Sequence, residues 1–112
     1  MPVIMDFALA RYEDGVLTIP MVPPVAIGGW SIRYTEQKRF GGSTNLITKS
    51  VASGFNGASG ITITNSGQGI FNIAINSVDS SGLEYGNDAF VVERMDSGHR
   101  TSLTEGYRLI NP

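Results

Sequence analysis

The chain has 112 residues, 41% hydrophobic and 16% charged, with a net charge of −2 and no cysteine; the length suits one compact domain with a single core. The missing cysteines exclude disulfide frameworks, thiol nucleophiles and thiolate metal sites, and the singly scattered Lys and Arg form no basic stripe for nucleic acid. No apolar run of about 18 residues exists to span a bilayer, and MPVIMDFALARYEDG lacks the basic and apolar regions of a secretory signal, so synthesis in a cytoplasm without a membrane partner is expected.

Low charge means that Ser, Thr, Asn and Gly build much of the surface. Fourteen glycines and five prolines cut the chain into short pieces whose apolar residues recur with period two, an all-β pattern. Pro2 to Arg11 reads as a first strand, or as a docking arm donated to a neighbour. The turn Glu13 to Gly15 leads to VLTIPMV, which Pro20 confines to a sheet edge or ends early. In WSIRYTEQKR, Trp30, Ile32 and Tyr34 share one face, as a half-buried strand requires. NLITKSV has no clear apolar face and is expected at the periphery. A Gly-rich loop, ASGFNGASG, precedes the strand and turn ITITNSGQG. IFNIAIN then puts Phe71, Ile73 and Ile75 on a core face. AFVVERM and RTSLTEGYRLI flank a turn at Asp96 to His99, where Asp can bond its own backbone and Gly accepts positive φ. Leu103, Tyr107 and Leu109 share a parity, and Gly106 marks a bulge or a close backbone approach.

Roughly seven or eight strands with turns every 8 to 12 residues predict a two-sheet antiparallel sandwich with Greek-key connections, one domain over residues 1–112. No amphipathic helix is expected beyond a single turn near Ser80 to Glu84.

The segment SVDSSGLEYGNDAF concentrates three carboxylates, Asp79, Glu84 and Asp88, between apolar runs. In a sandwich it suits a crossing between sheets, with Leu83 plugging the end of the core and Asp79, Ser80 and Ser81 satisfying loop amides. Calcium would need six to eight oxygens around a curled loop, and the spacing does not match an EF-hand. Acid–base catalysis would need one carboxyl desolvated, which nothing in the sequence predicts. His99 reads as a solvated turn residue. No GxSxG elbow activates a serine, and the glycine-rich stretches Gly41 to Ser43 and Ser53 to Gly60 lack the lysine and helix of a phosphate loop. Lys38 and Arg39 beside Phe40 form the densest cation cluster, a solvated hairpin end or a contact for an acidic partner. Trp30 is expected in the core, where a large aromatic buries on the order of 200 Å²; facing outward it could stack on a sugar. Catalytic, cofactor-binding and metal-binding residues are therefore expected to be absent.

The order of these elements resembles small immunoglobulin-like β-sandwich domains of bacteriophage virions, such as the N-terminal domains of baseplate upper proteins. VPPVAIGGWSIRYTEQKR is similar to that group's Gly-Trp turn and alternating strand. LITKS follows, and then GIFNIAINSVDSSGLEYGNDAFVVERMDSGHRTSLTEGYRLI resembles its strand, Ser-x-Asp-x-x-x-Leu corner, aromatic strand and final strand around a glycine. Here NDAF follows Gly86 and puts Phe90 where the group has Tyr. The resemblance implies a non-enzymatic virion structural protein acting through protein–protein contacts. The stop just past the final strand favours a free-standing capsid decoration protein, head or neck fibre component or tail accessory over a baseplate part. Partners would be other virion chains, with a homo-oligomer, a trimer among the options, by analogy. The alternative from another class is a carbohydrate-binding module using Tyr12, Tyr85 or Tyr107, which would require two or three rings aligned on one exposed face.

Overall fold

Burial alternates along most of the strands, and that alternation sorts them into two facing layers. The computed structural model describes residues 3–21, 24–42, 44–51, 60–95 and 101–111. Its strands are β1 (Val3–Ile4), β2 (Phe7–Ala8), β3 (Gly15–Pro20), β4 (Ile32–Gln37), β5 (Ile47–Val51), β6 (Ile61–Asn65), β7 (Ile70–Ile75), β8 (Gly86–Arg94) and β9 (Thr101–Ile110). Among the described residues the helical content is one turn, α1 (Ser77–Ser80).

The larger sheet runs β1-β9-β8-β4-β5, with β2 also on β9, and the smaller runs β3-β7-β6. All pairs are antiparallel except those of β1 and β2 with β9. The connections β3–β4, β5–β6 and β7–β8 each cross between sheets, which is the Greek-key order of an immunoglobulin-like sandwich. Ile19, Ile61, Phe71, Ile73 and Ile75 from the smaller sheet meet Ile32, Tyr34, Ile47, Val51, Phe90 and Val92 from the larger in one buried cluster. Burial of that apolar surface is the main force holding the layers together.

The N-terminal segment lies along β9 of its own chain. Val3 pairs with Thr104 and Ala8 with Leu109 at one constant offset, so β1 and β2 are a single edge strand interrupted at Met5 and Asp6. In that gap the Tyr107 amide donates to Asp6 Oδ1 at 2.9 Å, a side chain replacing a ladder carbonyl. Gly106 permits this approach, since a Cβ there would stand 1.8 Å from the Met5 carbonyl oxygen. β3 is an edge strand that ends at Pro20.

Four expectations change. Trp30 does not sit on β4 but two residues before it, half-buried, with the Arg94 guanidinium 4.0 Å above its ring. The chain turns at Gly29 (φ 82°) and the Trp30 amide bonds back to the Ile27 carbonyl, so Trp30 packs partly buried against the core while Ile27 is fully buried within it. β8 starts at Gly86 rather than near Ala89. The helical turn starts at Ser77, because Asp79 Oδ2 accepts the Asn76 amide at 2.8 Å and fixes the turn's first residues. In β9, Val92 opposes Thr104 while Glu93 opposes Ser102, leaving Leu103 as an extra residue. This bulge reverses the parity: Leu103 is buried, but beyond it Arg108 and Ile110 face the core and Tyr107 and Leu109 face outward.

Candidate functional site

At the end of the sandwich where β7 crosses to β8, the inward positions of three adjacent strands cease to be apolar. Glu36 continues the parity of Ile32 and Tyr34, Asp88 that of Phe90 and Val92, and Arg108 that of Ile110. All three are buried, together with Ser80 of α1. Tyr34 Oη donates to Glu36 Oε1 at 2.6 Å. Arg108 Nη1 donates to Glu36 Oε1 and Oε2 at 3.3 and 3.2 Å, and Nη2 donates to Ser80 Oγ at 2.7 Å, tying β9 to the crossing. Asp88 lies opposite Arg108 in the strand register, yet neither of its oxygens receives a hydrogen bond. The Lys38 ammonium, more than half exposed, stands 3.4 Å from Asp88 Oδ1.

Burial pushes the Glu36 carboxyl above its usual range; the hydrogen bond from Tyr34 and the charge of Arg108 pull it down, and the neighbouring Asp88 carboxyl pushes it up again. Burial, and then Glu36, hold the Tyr34 phenol far above its ordinary value. The arrangement can store a proton and clamp the crossing. Glu36, Ser80, Asp88 and Arg108 are each at most 1% exposed.

The three acids of the crossing do not converge on one point: Asp79 faces Lys49, while Glu84 and Asp88 share Lys38. Asp79 accepts from Lys49 Nζ at 2.8 Å. Partial burial raises its carboxyl, but the Lys49 and Asn76 hydrogen bonds outweigh that and hold it below the usual range. Glu84 is exposed, 3.8 Å from Lys38. Asp88 is the buried member. Among the described residues no three His, Cys, Asp or Glu side chains are grouped to hold a metal. Lys38, expected either in solvent or against an acidic partner, faces Asp88 and Glu84 of its own chain. Lys49 occupies an inward position between Ile47 and Val51, which explains why β5 showed no apolar face in sequence. Leu83 packs against the core as a plug. Ser43, residues 52–59 and the Asp96 to His99 turn lie outside the described residues.

The exposed aromatics form two groups. Tyr12 and Tyr85 flank Arg11, whose guanidinium lies 5.3 and 4.9 Å from their ring centres. Phe40 folds from the β4–β5 turn onto Tyr107, centroids 5.2 Å apart and planes 67° apart. Tyr107 is the cross-strand partner of Ala89, and the ring pair covers that outward-facing alanine. Shallow grooves lie on either side of the rings, one of about 420 Å³ including Arg33, Thr35, Asn45 and Ser102, the other of about 360 Å³ including Asp6, Asn87 and Leu109. Tyr107 is 47% exposed, Phe40 and Leu109 41% each. In comparison with known proteins, no family model matches the chain and no curated protein matches it significantly.

Sequence reasoning passes over Glu36 and Arg108, and takes Ser80 for a loop residue bonding local amides rather than the acceptor for Arg108. The signal for Glu36 was available, since it continues the alternation of Ile32 and Tyr34; Arg108 was hidden by the bulge at Leu103.

Proposed function

We propose that this domain is a non-enzymatic structural component of a bacteriophage particle, a capsid decoration protein, head or neck fibre component or tail accessory, working through protein–protein contacts. The observation that carries the contact reading is the outer face of the larger sheet, where Phe40, Tyr107 and Leu109 form an apolar ridge between two grooves. Aromatics at the centre of a patch with a polar surround are the usual anchors of protein interfaces. The smaller sheet presents a polar row instead, with Thr18 and Thr62 each opposite Asn72. The resemblance in strand order and motifs supplies the particle setting, with neighbouring virion chains or further copies of this one as partners.

Electron microscopy of intact particles tests the setting: density for this chain on the capsid, neck or tail supports it, and no density overturns it. Paired with that, Tyr107→Glu should lower incorporation at least tenfold while leaving the unfolding midpoint nearly unchanged, as exposed substitutions do. Undiminished incorporation would remove this face from the reading. The carbohydrate reading gains less support, because Phe40 and Tyr107 meet edge to face rather than as one platform and Tyr12 and Tyr85 already stack on Arg11.

A further inference from the structure

We infer that Glu36 keeps its proton in the folded domain and donates it to Asp88, so that this end of the sandwich is a proton-held clasp that loosens as the pH rises. The argument starts from charge. Glu36 and Asp88 are both buried beside a single buried cation, Arg108. With both acids ionised the dry site would carry an excess negative charge, at high desolvation cost. One retained proton makes the trio neutral.

Hydrogen-bond geometry selects the same state. Asp88 is 1% exposed and neither of its oxygens has a donor, whereas Glu36 already accepts from Tyr34 and Arg108. A proton on Glu36 directed at Asp88 supplies the missing donor, and burial favours the neutral form of Glu36. Asp88 then accepts from Glu36 while it lies opposite Arg108 in the strand register. The other charged and titratable groups facing the site are Tyr34 from β4, Lys38 at the rim, and the Asp79–Lys49 pair beside α1. Lys38 is too exposed to replace the proton, because water screens its charge.

The clasp acts through Arg108, whose Nη2 bond to Ser80 holds α1 onto β9. When the proton leaves, Glu36 and Asp88 repel, Arg108 is drawn between two anions, and the crossing loses its anchor. A carboxyl raised on folding contributes stability that is complete below its unfolded value and is lost as pH climbs through the folded one.

Carbon-13 NMR of the whole chain labelled at glutamate side-chain carboxyls tests this, with the Glu36 signal assigned by its loss in Glu36→Gln. At about pH 6, well above the ordinary glutamate value of 4.5, Glu36 should still read as protonated. In parallel, the unfolding constant from urea titrations should rise about tenfold per pH unit between the ordinary glutamate value and that of Glu36. Glu36→Gln, whose amide donates to Asp88 at every pH, should flatten that slope. A Glu36 signal titrating at the ordinary glutamate value would overturn the inference, and so would an equal slope in Glu36→Gln. If the variant does not fold, site assignment through Asp88→Asn, which should shift the Glu36 signal alone, leaves the wild-type titration decisive.

Discussion

Gly106 is the residue with the least freedom to change. The position of a Cβ on it falls 1.8 Å from a backbone oxygen of Met5 and 2.6 Å from the carbonyl carbon, and backbone cannot swing aside as a long side chain can. Gly106→Ala should therefore separate the edge strand β1–β2 from β9, costing about 3 kcal/mol or more. Hydrogen exchange should show selective loss of protection at Met5 and Leu9, whose amides bond to β9; uniform protection would refute the account. This glycine was legible in sequence as a bulge or a close approach, and the structure selects the approach. The bulge itself sits at Leu103, where no glycine marks it, because a bulge is a property of two strands in register and one strand's composition does not carry it. Arg108 shares that history. Its parity with Ile110 becomes meaningful only once Tyr107 and Leu109 are known to face outward. Arg108→Met should cost about 3–5 kcal/mol, since it leaves two buried carboxyls without their cation, measured as a fall in the urea midpoint; a loss under 1 kcal/mol, the scale of a surface pair, would show that the cluster is hydrated.

At the scale of elements, the turn-forming residues Ser77 to Asp88 predict a crossing, and the chain does pass there from one sheet to the other, with β8 already begun at Gly86. Its carboxylates could not be assigned from spacing, because their partners come from elsewhere: Lys49 from β5, and Lys38 from just beyond β4. Asp79 has two tasks, accepting the Asn76 amide and binding Lys49, whose side chain is mostly buried. Asp79→Ala should weaken the domain by ~1 kcal/mol, the usual size of a lost helix-terminal contact, with faster exchange of amides across α1. Unchanged exchange there would mean that Arg108 alone holds the crossing. β5 makes the complementary case: its alternation was obscured by a lysine on the inward parity, which is tolerated because the aliphatic stem stays in the layer while the ammonium reaches the carboxylate at the margin.

For the whole molecule, the two-layer fold was legible because Ile32, Tyr34, Phe71, Ile73 and Ile75 carry a period-two signal strong enough to survive local errors. Trp30 misled because a lone large aromatic argues for burial without saying which turn precedes the strand. The fold also places two oppositely shifted carboxyls, Asp79 and Glu36, at the same end of the sandwich, and they bend the pH dependence of stability in opposite senses. Asp79 is depressed, so its contribution is present above the ordinary aspartate value of 3.8 and is lost as pH falls through the folded one. Glu36 is raised, so its contribution is complete below the ordinary glutamate value of 4.5 and is lost as pH rises through the folded one. The losses run in opposite directions from a narrow interval, so Asp79 contributes to the acid limb of the stability profile and Glu36 to the limb above it. Urea midpoints measured across pH check this directly. Asp79→Asn should flatten the acid limb alone and Glu36→Gln the limb above it, while an unchanged upper limb in Glu36→Gln would mean that Glu36 ionises freely and that water enters the end of the sandwich.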